Sequence, residues 1–145
     1  MAYIKNIFKY IAYSILFILI SLCIYTFVMT DILKKDYVNV FGYTYFVVST
    51  GSMSGTIEVN DIIFVKLTDD IMVNDIVTYK NSNGEIITHR FIQKVGDKYI
   101  LQGDVNNVAD NPVSKSSIIG KVNLIVSPGF ILKSLAVFLI LFIFL

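Results

Sequence analysis

Charge is absent from one long stretch of this chain and nearly absent from another, and the two lie at opposite ends. From Tyr10 to Thr30 run 21 uncharged residues, bounded by Lys9 and Asp31. As a helix rising about 1.5 Å per residue they reach roughly 30 Å, the thickness of a bilayer's hydrocarbon core. Ser14, Ser21 and Thr26 interrupt the run, and hydroxyls of this kind can bond back to helical carbonyls. A cleavable leader has a shorter apolar region and a small-x-small cleavage pattern, which Thr26 to Asp31 lacks. Residues 1–30 are therefore expected to form a retained N-terminal transmembrane anchor. Gly129 to Leu145 is apolar except for Lys133 and Ser134. Its helical reach of about 25 Å, slightly short of a full span, predicts a second transmembrane segment over 129–145, with an interfacial segment as the alternative, set off by the Pro128-Gly129 break.

Between these ends the pattern changes to short runs rich in Val, Ile, Tyr and Phe. They fall at Tyr43–Ser49, Ile62–Leu67, Ile76–Lys80, Glu85–Lys94, Lys98–Leu101 and Ile118–Val126. Asn83-Gly84 and Gly96-Asp97 separate two of the junctions as hairpin turns do. No helical period competes. The predicted fold is mainly β: a compact antiparallel domain over residues 31–128. Tyr37, Phe41, Tyr43, Tyr45 and Phe46 follow the anchor closely, where aromatics suit either strand core or a domain resting at a membrane interface.

Composition narrows the function. The chain is 55% hydrophobic and only 16% charged, which excludes a disordered protein and fits a simple soluble globule poorly. A net charge of +1 provides no basic excess for nucleic acid. One cysteine, Cys23 in the anchor, allows neither an internal disulfide nor a cysteine metal cluster, and one histidine excludes a multi-histidine site. No metal or other cofactor is expected. Residues 31–128 hold nine basic and all eleven acidic residues, a net −2. Lys5 and Lys9 on one side of the anchor face Lys34 and Lys35 on the other, a slight lean toward a cytoplasmic N-terminus.

Three segments of the middle domain can carry chemistry. Ser49-Thr50-Gly51-Ser52-Met53-Ser54-Gly55-Thr56 follows a strand, and a serine beside glycine there can be exposed among free backbone N–H groups. Alone it reads equally as a loop. His89 shares a strand face with Ile87 and Phe91, and a neutral imidazole there can accept a proton; it can also be a structural histidine. Gly103 to Pro112 is dense in Asp and Asn. It is either a solvated turn or the source of a carboxylate that orients His89; its spacing does not fit a calcium-binding EF-hand loop.

The order of these segments resembles the type I signal peptidases, in the endoplasmic-reticulum-type branch of eukaryotes, archaea and sporulating Gram-positive bacteria. Thr50-Gly51-Ser52-Met53 is similar to the family's nucleophile box, and Thr88-His89-Arg90 to the box where this branch places His instead of a Lys base. Gly103-Asp104 to Asp110 resembles the acidic box, and Ile119-Gly120-Lys121-Val122 the closing strand. Two positions depart from the pattern. Gly55 stands where the family usually has proline, which predicts a looser loop, and Asn60-Asp61 replaces the usual Gly-Asp.

The resemblance implies a membrane-bound serine endopeptidase, a signal peptidase I. In it Ser52 attacks the scissile carbonyl and His89 acts as base. Asp110 faces His89, Asp104 supports the loop, and the Ser52 N–H and Thr50 hydroxyl form the oxyanion hole. Substrates would be membrane-inserted preproteins with small residues at −1 and −3, cut on the extracytoplasmic side of the cell membrane. The lipid bilayer would be a partner, and accessory membrane subunits are left open. Two rival readings exist: a non-catalytic membrane-tethered β-domain that binds peptides or partner proteins, and a Ser/Lys dyad using Lys66 or Lys80.

Overall fold

The computed structural model describes residues 2–144, without the side chains of a few residues near each end. The chain divides into two compact units, residues 1–38 and 39–145. In the first, helix α1 (Ala2–Phe27) runs without glycine or proline and passes into a π-helical turn, Val28–Ile32. The Leu33 N–H closes that turn on the Val28 carbonyl at 2.9 Å. Asn6–Ile32 is long and apolar enough to cross a membrane. The hydroxyls in this run are satisfied within the helix: Ser14 donates to the Tyr10 carbonyl, Ser21 to Phe17 and Thr26 to Cys23, at 2.8–2.9 Å. That removes the main cost of placing them in hydrocarbon.

The second unit is a seven-stranded antiparallel sheet. Its strands are β1 (Tyr43–Val47), β2 (Ile62–Leu67), β3 (Ile76–Lys80), β4 (Ile86–Val95), β5 (Lys98–Gln102), β6 (Val113–Ser114) and β7 (Ile118–Val126). The spatial order is β1-β2-β7-β3-β4-β5-β6. Six of the strands fall on the six predicted runs, with ends moved by up to two residues. The shift is largest at β1, which ends at Val47 and not Ser49. The two-residue β6 has no sequence pattern of its own and was not expected. Hairpin turns at Gly84 and Gly96 adopt the positive φ that glycine accommodates.

Two clusters make the core. Val77, Tyr79, Phe91, Tyr99 and Leu101 form one on β3, β4 and β5; Met53, Ile57, Ile63 and Val65 form the other on β2 and the loop before it. Strand β7 lies between the two halves of the sheet, and its Gly120 is paired with Leu67 on one side and Thr78 on the other. A β-carbon at Gly120 would meet the Lys66 carbonyl oxygen at 2.1 Å. This crossing therefore admits no side chain.

The aromatics after α1 differ in burial. Phe46 packs against the second cluster, whereas Phe41 is 98% exposed and Tyr43 and Tyr45 are partly exposed, at 39% and 44%. Strand register sets Tyr45 beside Phe64 and Phe64 beside Leu124, an exposed apolar row across three strands. After β7, helix α2 (Pro128–Phe144) begins with Ser127 as its cap; the Ser127 hydroxyl accepts the Phe130 N–H at 3.3 Å, and Pro128 occupies the first helical position. The predicted 129–145 segment is thus helical through Phe144, while Leu145 lies outside the described residues.

Candidate active site

The loop that carries Ser52 is closed at its base by backbone bonds between Val48 and residues 60–61: Val48 N–H to the Asp61 carbonyl at 2.9 Å and Asn60 N–H to the Val48 carbonyl at 2.8 Å. Within it, the Met53 carbonyl accepts the N–H groups of Thr56 and Ile57 at 3.0 and 2.8 Å. Met53 and Ile57 drop their side chains into the second core cluster. Each such burial stabilises by roughly 1.5–3 kcal/mol, so the loop is anchored from beneath and Ser52 is held at its upper surface.

The expectation that Gly55 loosens this loop is corrected by its geometry. Gly55 sits at φ +90° and donates its N–H to Glu58 Oε1 at 2.8 Å. Proline can supply neither, because its ring fixes φ near −65° and it has no N–H. Glu58 in turn donates its backbone N–H to Asp61 Oδ2 at 2.9 Å. The second departure has a similar basis: Asn60 adopts φ +73°, and asparagine is among the few non-glycine residues that tolerate this region. Restoring the family's usual proline, Gly55→Pro, is expected to lower activity at least tenfold and to reduce stability by about 3 kcal/mol. Turnover and thermal midpoint of that variant check it; equal or higher turnover would restore the loose-loop reading.

His89 lies on β4, opposite Val77 of β3, and is buried. Its Nε2 is 3.0 Å from Ser52 Oγ, and its Nδ1 is 2.5 Å from Asp110 Oδ2. With the Nδ1–H donating to the carboxylate, Nε2 is left to accept the Ser52 hydroxyl. A hydroxyl, an imidazole and a carboxylate in this line can pass the hydroxyl proton to the ring while the carboxylate steadies the resulting charge.

The acidic segment reaches the site by close backbone approach. Val105 donates its N–H to the Ser52 carbonyl at 3.1 Å, and a β-carbon on Gly103 would stand 2.6 Å from that oxygen. Asp110 is fixed by its own N–H on the Leu101 carbonyl at 2.8 Å. Asp104 points elsewhere. It receives Arg90 Nε and Nη2 at 2.8 and 2.7 Å, and the Thr56 hydroxyl at 2.6 Å. The paired guanidinium, more than any other group, holds the Asp104 carboxyl below the usual carboxylate range and raises Arg90 in return. This clasp ties the Ser52 loop to β4; it does not touch His89's ring nitrogens.

Ser52 and His89 open on a cleft of about 580 Å³. Its lining includes Val47 at the end of the edge strand β1 with Val48 and Ser49 after it, and Ile86, Ile87 and Thr88 of β4. Over those residues β4 is paired with β3 alone, since its pairing with β5 begins at Arg90. Thr50 also lines the cleft, and neither its hydroxyl nor the Ser52 N–H has a hydrogen-bond partner among the described residues. Lys66 and Lys80, the rival bases, are not among the lining residues; the Lys80 side chain lies near the hairpin at Gly84. Among the described residues no three His, Cys, Asp or Glu groups converge to hold a metal ion.

One member of the site escaped sequence reasoning. Tyr79 of β3 donates its hydroxyl to Asp110 Oδ2 at 2.9 Å. Along the chain it is one more aromatic in a buried strand, with nothing local to distinguish a hydroxyl that reaches a carboxylate 31 residues away.

An antiparallel β domain with this hydroxyl–imidazole–carboxylate line has the composition of a serine-peptidase domain. The Peptidase S24-like family matches residues 29–123, and the chain belongs to that family. Comparison with curated proteins gave no match.

Proposed function

We propose that this protein is a membrane-anchored signal peptidase of the Ser/His type, cutting signal peptides from preproteins outside the cytoplasm. The observation that carries the proposal is the Ser52–His89–Asp110 line, spaced at 3.0 and 2.5 Å, opening on a cleft between unpaired strand edges. A preprotein segment lies extended in that cleft and adds hydrogen bonds to the free edge of β4. Side chains on alternate positions then point toward the cleft floor, which accounts for a requirement for small residues at −1 and −3.

Ser52 Oγ attacks the scissile carbonyl as His89 Nε2 takes its proton. The Ser52 N–H and the Thr50 hydroxyl receive the oxyanion, each donor contributing about 3 kcal/mol to the transition state. His89 then gives the proton to the leaving amine, and the acyl-enzyme forms. In the second half, His89 deprotonates a water that releases the cleaved signal peptide and restores Ser52. The apolar α1 and the exposed Tyr45–Phe64–Leu124 row favour work at a bilayer, where such substrates emerge. Gly55, the departure from the usual proline, donates its N–H to Glu58 and so is held within the loop, which favours a catalytic domain over a non-catalytic relative.

The test is cleavage of a model preprotein by the full chain in proteoliposomes. A single cut should follow an Ala at −1, identified from the mass of the released mature protein, and Phe at −1 should block it. A protein that bound several such preproteins and cut none would instead be the tethered binding domain.

A further inference from the structure

We propose that Tyr79 is a positioning residue for this reaction, its hydroxyl fixing the Asp110 carboxylate that orients the His89 ring. This rests on the Ser52–His89–Asp110 reading and extends it by one residue.

The case begins with Asp110. Its Oδ2 accepts two donors, the His89 Nδ1–H at 2.5 Å and the Tyr79 hydroxyl at 2.9 Å. Among the described residues no other side chain bonds to this carboxylate. Asp110 comes from the irregular segment between β5 and β6, and its N–H on the Leu101 carbonyl fixes the backbone alone. The turn of the carboxylate about its side-chain bonds is left to Tyr79 and to His89 itself. His89 cannot serve as its own reference, because its ring must stay aligned while it gains and loses a proton.

Tyr79 is suited to be that reference. It is 1% exposed, with its ring packed in the cluster of Val77, Phe91, Tyr99 and Leu101. Strand pairing with Ile87 of β4 and Ile118 of β7 fixes its backbone on both sides. A tyrosine used only for packing would gain nothing from its hydroxyl, which loses water on burial and needs a partner to offset that loss. Burial, and then the bond to Asp110, raise the phenol well above its usual range. The shift favours the neutral phenol, the form that donates to Asp110 Oδ2. The action of Tyr79 is geometric: it keeps Asp110 Oδ2 in line with Nδ1 as the imidazolium forms.

Tyr79→Phe keeps the ring and removes the donor. Two readings distinguish positioning from packing. The rate at which a fluorophosphonate labels Ser52 reports the nucleophile and base with no preprotein present, while kcat and KM on a preprotein separate turnover from binding. Labelling and kcat should both fall about tenfold, the size of one hydrogen bond to a charged group, with KM within about twofold of wild type. Tyr99→Phe makes the same change in the same cluster, and it should leave both rates unaltered. Tyr79→Phe labelling within about twofold of wild type would overturn the proposal. So would a loss shared with Tyr99→Phe, or one carried by KM, since either marks packing alone. A wild type that is labelled but cuts no preprotein defeats the substrate reading and leaves the labelling comparison decisive; one not labelled at all defeats the triad, and Tyr79's role with it.

Discussion

Ser52→Ala and His89→Ala should each reduce preprotein cleavage by about 10⁴-fold or more, and the double variant should be little worse than either. The lack of additivity follows from the geometry. Ser52 Oγ and His89 Nε2 are 3.0 Å apart and act on one proton, so removing either leaves the other without a task. What survives is the cleft with its free Ser52 N–H and Thr50 hydroxyl, able to bind peptide and polarise a carbonyl. Binding of an uncleaved preprotein should accordingly persist in His89→Ala. His89→Lys discriminates further. A lysine there would need to lose its charge beside Asp110, and the variant should be as inactive as His89→Ala. Turnover near wild type in either His89 variant would show that the base lies elsewhere.

Gly120→Ala should destabilise the β domain more than any other single methyl addition at its glycines, by about 3 kcal/mol or more. The added carbon would stand 2.1 Å from the Lys66 carbonyl oxygen and 2.9 Å from a Val65 methyl. Flexible side chains can move away from such contacts, but a strand carbonyl cannot without losing its register. Both neighbours of Gly120 are paired strands, so the strain has no open side on which to relax. The thermal midpoint in detergent should fall by roughly 10 °C or more. A midpoint within about 2 °C of wild type would mean that β2 and β7 can separate at this crossing at little cost.

Much of the architecture was legible because the signals were local. A 21-residue gap in charge and six runs of β-branched and aromatic residues each announce themselves within a short window. The site was legible in parts. Ser52, His89 and the acidic segment could be proposed by type, and their resemblance to a known family assigned them roles. Their convergence could not be read from residues 37 and 21 positions apart in the chain. Gly55 was misjudged because proline and glycine are usually compared by flexibility, whereas here one φ angle and one N–H decide the matter. Tyr79 was missed because a buried hydroxyl's partner is a tertiary fact. The insertion of β7 between β2 and β3 was hidden for the same reason: topology is set by which edges remain free.

That insertion also has a bearing on timing. Strands β1 and β2 flank the Ser52 loop, while β3, β4 and β5 carry or anchor Tyr79, His89 and Asp110; in the sheet, only β7 joins the two sets. During synthesis the chain therefore makes the nucleophile first, the base next and the carboxylate third, yet the halves that hold them have no shared strand until residues 118–126 have emerged and found their place. Within the sheet, the alignment of Ser52 with His89 and Asp110 therefore depends on the last long strand being in place, and loosening β7 should separate the nucleophile's half from the base's half before either half loses its own pairing.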